Sequence, residues 1–567
     1  MPSVYTIMST AKWALLTHQR SLQVTSHNIA NVETPGYSRQ ELVLETGMPL
    51  SSTPGQIGMG VRASEVRRIY DRFLESQIAQ ESQGLGRWEA VEGAMSQVSA
   101  IFNETSENGL SARMAEFWAA WQEVANTPSG QGERTNLKVK ADSLAQMFYQ
   151  IHSGLVDVQD QMDQSVLDGL NTINSISEQI ASLNTKIASV EASGQNANDF
   201  RDQRDQLVRN LSEMIDVNSY EASDGKLTVF VAGGKPIVQG DMSFSLEGQT
   251  NGTGLYDVMW DDGNGNLTNI TPQIQEGKLG GWLTARDDLI TGYLNDINTL
   301  AESMIKEVNR LHSSGVGLTY YDSLAASYTV DSDAVALASA ASGLSFWDEI
   351  IEGNTFSLWV YDTTGDTYAE SSISIDPGDT LQDLEMKIDA VSGVSASISN
   401  GRMTIDADSG YQFFFSSDQS NVLMALGLNT FFDGVDASDI ALSSVIQSDV
   451  NKIAAALDHD ALPGDNRNAL AIIDLQYQTL MAGGTSTFGS YYSSLVGEVG
   501  SASSEAKNHT SYQTSVVDQL QTRREEVSGV SLDEEMTNLM KFQHAYEASA
   551  QMIRVVDEMM DTIMGLI

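Results

Sequence analysis

The chain has 567 residues, too many for one compact core, and its 31 Lys and Arg face 76 Asp and Glu, a net charge of −45. Such acidity excludes a phosphate-binding surface, so nucleic acid is not an expected partner. Hydrophobic residues make up 41% of the chain, enough for real cores, and the absence of cysteine removes disulfides, thiolate nucleophiles and cysteine-based metal sites.

The N-terminal segment is predicted to be an amphipathic helix over residues 3–30. Its apolar residues recur at steps of three and four, interrupted by His18 and Thr25, at Val4, Ile7, Met8, Ala11, Leu15, Leu22 and Ile29. Lys12 lies inside this stripe rather than ahead of it, so the segment does not have the pattern of a secretory signal. No run of the sequence approaches the roughly 20 apolar residues of a membrane span, and no contact with a membrane is expected.

A turn is predicted where this helix ends, in the segment Asn31-Val-Glu-Thr-Pro-Gly36. Pro35 disfavours a helical conformation at Thr34, and Gly36 can adopt the positive φ that a chain reversal needs.

Helical periodicity then continues over two helices in residues 67–126 and one long rod-like helix in residues 134–193. A returning helix over 199–215 contains the charge run Arg201-Asp-Gln-Arg-Asp205. Such a run is typical of a solvated face, and the alternative is a salt-bridged contact between subunits.

Strand patterns begin after residue 215. Leu227, Val229 and Val231 alternate with more polar residues between Gly-rich turns, and a helix returns over residues 282–312. In the following Ser-, Asp- and Gly-rich stretch, Phe356, Leu358 and Val360 alternate in the same way. Asn400-Gly401 between two alternating runs predicts a hairpin, and Asp379–Val391 predicts a capped helix.

The C-terminal helix is predicted over residues 532–564, which contain neither Gly nor Pro. Ser531 and Glu534 have the spacing of a capping box. The apolar stripe of this helix comprises Leu539, Phe542, Tyr546, Ile553, Val556, Met560 and Ile563. Its spacing lies close to the 3.5-residue repeat of a helix that packs against another helix.

Short catalytic and metal motifs are absent or incomplete. Ser9-x-x-Lys12 and Ser504-x-x-Lys507 lack the companion motifs of acylating enzymes, and no histidine pair has the zinc spacing. Asp261–Asn266 predicts a turn rather than a calcium loop. We therefore expect no enzymatic activity, no cofactor, and no catalytic, cofactor-binding or metal-binding residues.

Two terminal motifs carry a family resemblance. Asn28-x-x-Asn31-x-x-Thr34-x-Gly36-Tyr37 resembles the N-terminal signature of the flagellar rod, hook and hook-associated axial proteins. Phe542–Gln551 and Val555–Met559 resemble the C-terminal motif of the same family. Three interior segments are similar to the hook-associated junction members, namely Phe117–Gln122, Asp202–Leu207 and Gly464–Ala471.

The resemblance implies an α+β multidomain fold, in which an elongated helical bundle or coiled coil is formed from both chain ends and flanking helices, with inserted mainly-β and α+β domains. Seven segments are predicted: an N-terminal axial helix with its motif turn (1–40), the first half of a helical core (41–215), a small β domain (216–280), a helix that returns to the core (281–318), an outward-facing α+β insert (319–440), the second half of the core (441–529) and a C-terminal axial helix (530–567).

The function that the resemblance implies is that of a structural subunit at the junction between hook and filament, extracellular and exported without a cleaved signal peptide. Expected partners are other copies of the chain, hook protein, the third hook-associated protein, the flagellar export apparatus and an export chaperone that covers the C-terminal helix. Asn28, Asn31, Thr34, Gly36 and Tyr37 are the expected assembly motif, and the C-terminal stripe is the second expected assembly surface. An isolated terminal helix is marginally stable in water, so folding of the ends is expected to accompany assembly.

Two alternatives remain from the sequence. The first is another axial protein of the hook or third hook-associated type, against which Trp121 and the Asp202–Asp205 segment argue. The second is a secreted adhesin or enzyme carried on flagellin-like ends, with its activity in residues 320–440.

Overall fold

The computed structural model describes residues 4–52, 55–104 and 108–565. Residues 3, 566 and 567, which belong to the predicted terminal segments, lie outside this part. Within it there are thirteen α-helices: α1 (Val4–Ala30), α2 (Arg72–Ile101), α3 (Leu110–Asn126), α4 (Gln131–Glu191), α5 (Asn198–Met214), α6 (Gly277–Leu283), α7 (Thr291–Ser313), α8 (Leu381–Asp389), α9 (Val422–Leu426), α10 (Ser444–Ser448), α11 (Arg467–Asp474), α12 (Phe488–Ser528) and α13 (Leu532–Met564).

The strands of the described ranges pair only in small antiparallel sheets. They are β1 (Gln40–Thr46), β2 (Leu50–Ser52), β3 (Gly55–Ile57), β4 (Val61–Arg68), β5 (Val217–Glu221), β6 (Leu227–Val231), β7 (Lys235–Gln239), β8 (Met242–Ser243), β9 (Leu246–Thr250), β10 (Tyr256–Asp261), β11 (Leu267–Asn269), β12 (Ser323–Ala325), β13 (Thr355–Asp362), β14 (Thr367–Ser374), β15 (Val394–Ser399), β16 (Arg402–Ala407), β17 (Tyr411–Ser416), β18 (Phe432–Asp433) and β19 (Ala441–Leu442). The predicted α+β class with several sheets and long helices is confirmed.

The chain divides into two compact units. The first comprises residues 1–94, 160–287 and 504–567, and the second comprises residues 95–159 and 288–503. The unit boundaries fall within α2, α4, a π-helical stretch at Thr284–Ile290 and α12. The finer division into seven segments stays a prediction.

The interior of the first unit combines the second half of α4 with α5, α6 and the sheets β5-β6-β7-β8 and β11-β10-β9. Leu227, Val229 and Val231 on β6 are all buried, which confirms the predicted alternation. These side chains form one apolar core together with residues such as Ile173 and Ile180 of α4. A long helix therefore serves as one wall of the small β region.

Residues 40–68, which the sequence assigned to a helical core, instead form two antiparallel pairs, β1 with β4 and β2 with β3. Glycines at 47, 55, 58 and 60 and prolines at 49 and 54 are unfavourable in a helix, which explains the difference. Ion pairs across the strands join Arg62 to Glu45 and Arg67 to Glu41.

The second unit contains the predicted insert. Phe356, Leu358 and Val360 are buried on β13, and the chain turns from β15 to β16 through Asn400 and Gly401, with φ values of 53° and 71°. Positive φ at both turn residues is typical of a type I′ hairpin, as predicted. Helix α8 begins with the predicted cap, in which Thr380 and Asp383 form a complete capping box.

The two terminal helices lie against each other in the first unit. The predicted apolar stripe is not the buried face of α1, because Ala11 is the only residue of that stripe that is buried. The buried face instead carries Thr17, Ser21, Thr25 and Asn28. The predicted apolar residues are half-buried or exposed because α13 covers the polar side of α1.

On α13 the predicted stripe is covered as far as Val556. Leu539, Phe542, Tyr546 and Ile553 are half-buried and Val556 is buried, whereas Met560 and Ile563 are exposed. Ser531 does occupy the N-cap position, but its side chain makes no capping hydrogen bond, so the capping box is wrong. Glu534 is ion-paired with Arg39 instead. No helix in the described ranges is long and apolar enough to cross a membrane.

Candidate assembly site

The segment that follows α1 reverses the chain and leads into β1. The amide of Thr34 donates to the carbonyl oxygen of Asn31 at 3.0 Å, and the amide of Tyr37 donates to that of Thr34 at 3.2 Å. Gly36 has a φ of +80°, a conformation that other residues adopt only with strain. The predicted turn is confirmed, and we call residues 28–40 the motif segment.

Asn28 is the centre of the motif segment and is 1% exposed. Its Oδ1 accepts hydrogen bonds from the Tyr37 hydroxyl at 2.8 Å and the Gln40 amide at 3.0 Å. Its Nδ2 donates to the Gln40 carbonyl oxygen at 2.9 Å and to Oε2 of Glu535 at 3.2 Å. All four hydrogen-bonding positions of the side-chain amide are therefore used.

Tyr37 is the second buried residue of the motif. Its ring meets that of His27 edge to face, with 5.7 Å between the ring centroids. Burial, reinforced by the carboxylates of Asp199, Asp202 and Glu535, raises the pKa of the Tyr37 hydroxyl well above its usual range. The hydroxyl therefore stays protonated and donates to Asn28.

The C-terminal helix reaches this site through its first turn. Glu535 is 2% exposed, and its Oε1 accepts from Nε of Arg39 at 2.8 Å. The exposed Glu534 accepts from Nη1 of the same arginine at 2.8 Å. The Arg39 amide donates to the carbonyl oxygen of Ser528, the last residue of α12, at 2.8 Å.

Helix α5 forms another side of the site. Asp202 accepts from the Ser38 amide at 2.9 Å and from Arg68 of β4 at 2.8 Å. Burial raises the pKa of Asp202, although the Arg68 guanidinium opposes that shift. Asp205 accepts from the same guanidinium at 2.6 Å.

The interpretation of the Arg201–Asp205 run as a solvated face is wrong. Asp202 is 6% exposed and Arg204 is 1% exposed. Arg201 is ion-paired with Glu191 and Glu221. These charges are buried because β4, β5 and the motif segment cover them, which no local sequence pattern indicates.

Glu75 at the start of α2 joins two further helices to the motif. It accepts from Arg209 of α5 and, at 2.8 Å, from Nε of Arg524 of α12. Arg524 also donates to the carbonyl oxygen of Gly36 at 2.8 Å. The motif segment is therefore held by residues from α2, α5, α12 and α13.

Of the five predicted motif residues, Asn28, Gly36 and Tyr37 take part in this network. Asn31 bonds back to the His27 carbonyl oxygen, while Thr34 is exposed and bonds to Asn31. The charged residues that complete the site were not predicted, namely Arg39, Arg68, Glu75, Arg524 and Glu535. A signal was present for Glu535, since it follows the Ser531–Glu534 segment, but nothing in the sequence related it to Asn28.

Large apolar side chains remain exposed on both terminal helices. On α1 they include Tyr5 and Trp13, with exposures of 79% and 53%. On α13 the exposed members are Leu532, Met536, Met540, Met552, Val555, Met559, Met560, Ile563 and Met564. Apolar patches of this kind mark interaction surfaces. We call these residues the outer apolar face.

In the second unit the Gly464–Ala471 segment has a structural role. Asn466 donates to the carbonyl oxygen of Ala125 at the end of α3 at 2.7 Å. Asn468 donates to those of Ala454 at 2.7 Å and Leu311 at 3.0 Å. The predicted packing role of Trp121 is confirmed, since it is fully buried and lies 5.2 Å from the ring of Phe431.

Among the described residues, one group of side chains has a spacing that could suit a cation, and it consists of Asp458, His459 and Asp460. Both carboxylates are exposed, and the His459 ring packs 4.4 Å from that of Trp359. Asp458 accepts from the Asp460 amide at 3.0 Å. These contacts account for the arrangement, and we assign no ion to it.

Comparison with known proteins relates the whole chain to flagellar proteins. Residues 95–322 match the family model described as flagellar hook-associated protein FlgK helical domain, and residues 521–566 match flagellar basal body rod FlgEFG protein C-terminal. Flagellar hook-associated protein 1 of Escherichia coli K12 is 27% identical over 570 residues, covering 99% of each chain. The chain is therefore similar over its full length to flagellar hook-associated protein 1.

A second relative and a solved structure agree with this similarity. The Bacillus subtilis 168 protein of the same name is 26% identical over 580 residues, covering all of this chain and 99% of its own. The solved flagellar hook junction protein FlgK of Burkholderia pseudomallei shares the fold, with a TM-score of 0.55 at 16% identity, over 80% of this chain and all of its own.

Proposed function

We propose that this chain is a structural subunit of the bacterial flagellum that forms the junction between hook and filament. The observation that carries the proposal is the arrangement of α1 and α13, which pack against each other in the first unit and leave the outer apolar face exposed. Full-length similarity to flagellar hook-associated protein 1 supports the place in the flagellum.

Assembly would bury the outer apolar face against neighbouring subunits. Burial of apolar surface contributes about 25 cal/mol per Å², less the entropy of ordering the helices. Because a terminal helix without tertiary packing is marginal in water, α1 and α13 depend on each other in the free chain, and incorporation into the flagellum completes the ordering of the chain ends.

The partners of such a subunit are other copies of the chain, hook protein on one side and the third hook-associated protein on the other. Export through the flagellar apparatus without a cleaved signal peptide accompanies this role. The exposed methionines of α13 are suitable for a chaperone that covers the helix before export, because methionine side chains adapt to varied apolar surfaces.

The decisive experiment is deletion of the gene. We expect hooks without filaments, with flagellin shed into the medium, and restoration of filaments by the intact chain. Chains lacking residues 1–40 or 530–567 should fail to restore motility. Filaments on the deletion strain, or motility restored by either truncation, would contradict the proposal.

A pair of matched variants separates the outer apolar face from folding. Val555→Asp with Met559→Asp places two charges on that face and should abolish incorporation. Gln543→Asp with Gln551→Asp adds the same charge to α13 at exposed polar positions and should leave incorporation unchanged. Equal incorporation of the two double variants, measured on purified flagella, would exclude the outer apolar face as an assembly surface.

A further inference from the structure

The middle of the α1–α13 interface contains small side chains whose hydroxyl groups do not bridge the two helices. Ser21 bonds to the Thr17 carbonyl oxygen at 3.2 Å, and Ser549 bonds to that of Ala545 at 2.7 Å. Thr17 bonds to the Val61 carbonyl oxygen of β4 at 3.4 Å. These hydroxyl groups therefore supply no hydrogen bond between the two helices that an axial slip would break.

Cross-helix polar contacts are found at the motif end of this interface. Glu535 accepts from Asn28 of α1 at 3.2 Å and from Arg39 at 2.8 Å. Both Asn28 and Glu535 are almost fully buried. A slip of α13 by one helical turn, about 5.4 Å, would separate these partners and leave a carboxylate and an amide buried without hydrogen bonds.

We infer that Glu535 is the positioning residue that sets the axial register between α1 and α13. It acts through Asn28, whose other three hydrogen bonds fix the motif segment. A buried carboxylate then aligns the N-terminal motif with the C-terminal helix, beside the contacts of Arg39 with Glu534 and with the Ser528 carbonyl oxygen. This is a use of buried polar groups for specificity rather than for stability.

The axial register between α1 and α13 also determines how the exposed apolar side chains of the two helices are arranged for assembly. This step rests on the proposed function. Trp13 and Met540 belong to the same outer apolar face but to different helices. A shift of one helix along the other changes the arrangement of apolar side chains that a neighbouring subunit contacts. Glu535 therefore determines the shape of the assembly surface without belonging to it.

The absence of cysteine permits a direct test with engineered thiol pairs in the full chain. His18 and Phe542 stack across the interface with 6.4 Å between their ring centroids. His18→Cys with Phe542→Cys reports the observed register, whereas His18→Cys with Leu539→Cys or with Tyr546→Cys reports a shift of one turn. Cross-links are formed with a short bismaleimide in purified flagella and in chain shed into the medium, and intrachain products are read as monomers of altered mobility.

The 18/542 pair should give the dominant product with Glu535 present. Glu535→Ala should lower it at least threefold and raise the product of a shifted pair. Glu535→Gln, which can still accept from Asn28 and Arg39, should restore the 18/542 product. Glu534→Ala, which removes only the exposed partner of Arg39, is the matched control and should behave as the parent.

Two results would overturn the inference: an unchanged pattern in Glu535→Ala, or an equal loss at all three pairs, which indicates a role in stability alone. Absence of the parent cysteine variants from purified flagella would instead count against the proposed function. The register would then still be decided by the cross-links in the shed chain.

Discussion

Arg524, near the end of α12, donates a hydrogen bond to the carbonyl oxygen of Gly36 at 2.8 Å. A residue close to the C-terminus therefore holds the turn that follows the N-terminal helix. Because Arg524 is also ion-paired with Glu75, the same contact ties that turn to the start of α2.

Substitution of Gly36 by alanine should destabilise the first unit by about 2–4 kcal/mol. The positive φ costs an L-residue roughly 1–2 kcal/mol, and an added Cβ would lie 2.7 Å from Oε1 of Gln206 and 2.9 Å from Nη2 of Arg209. Gly194→Ala is the matched control, since its φ of +77° is similar but nothing lies within 4 Å of the added Cβ. Urea unfolding gives the free energy of unfolding of both variants. An equal loss of that free energy in Gly36→Ala and Gly194→Ala would contradict a role for the close contacts at Gly36.

Trp121→Ala should destabilise the second unit by about 3–5 kcal/mol, since it empties a large, fully buried site. Trp121→Phe should cost less, because the indole Nε1 of Trp121 has no hydrogen-bond partner among the described residues and its removal leaves no polar group unsatisfied. Trp13→Ala, at a half-exposed position of α1, should change the free energy by under about 0.5 kcal/mol. Thermal unfolding ranks the three variants, and a larger loss for phenylalanine than for alanine would be inconsistent with this account.

His312 should make the second unit sensitive to acid. Burial lowers the pKa of its imidazole to about 4, while Nε2 accepts from the Ala454 amide at 2.9 Å and Nδ1 lies 2.7 Å from the Asn429 carbonyl oxygen. The folded state binds the proton less tightly than the unfolded state, where the pKa is 6.5. The stability that His312 contributes is therefore complete above pH 6.5 and is lost as the pH falls through about 4.

The measurement is the difference in free energy of unfolding between the parent and His312→Gln from pH 7 to pH 4. This difference should shrink toward low pH, since the parent alone must charge a buried imidazole. His544→Gln, at a side chain with 83% exposure, is the control and should give a flat difference. If the difference for His312→Gln also did not change with pH, the imidazole of His312 would not be buried in its neutral form.

Asp216 should give the first unit a pH dependence of stability that is opposite in sign to that of His312. Burial, with a smaller contribution from Glu276, raises the pKa of its carboxyl from 3.8 to about 7. Its Oδ1 is buried with no hydrogen-bond partner among the described residues. The folded state holds the proton more tightly, so the stability is complete below about pH 4 and is lost as the pH rises through about 7.

Asp216→Asn should remove this dependence and should gain stability relative to the parent between pH 4 and pH 8. Asp241→Asn, at an exposed position of the same β region, is the control. Urea unfolding at each pH measures both variants. A relative stability of Asp216→Asn that falls with rising pH would refute the assigned sign.

Much of the local structure was predictable because its causes are local. The period of the apolar residues placed α4 and α13, alternation placed β6 and β13, and the segment Asp379–Val391 predicted the capped helix α8. Pro35 and Gly36 predicted the turn after α1 from their backbone preferences alone. The strands of residues 40–68 were missed because their apolar alternation is short and their partner strand lies across an intervening hairpin.

The sequence by itself determined the helices, the turn between Asn31 and Tyr37, and the family, since each depends on residues that are close together in the chain. Only the tertiary structure decided which faces are covered. An apolar stripe shows which residues avoid water but not what covers them, and in this chain α13 covers the polar face of α1. The two helices are joined by a hydrogen bond between Asn28 and Glu535, residues separated by 507 positions, and no local pattern records a contact of that range.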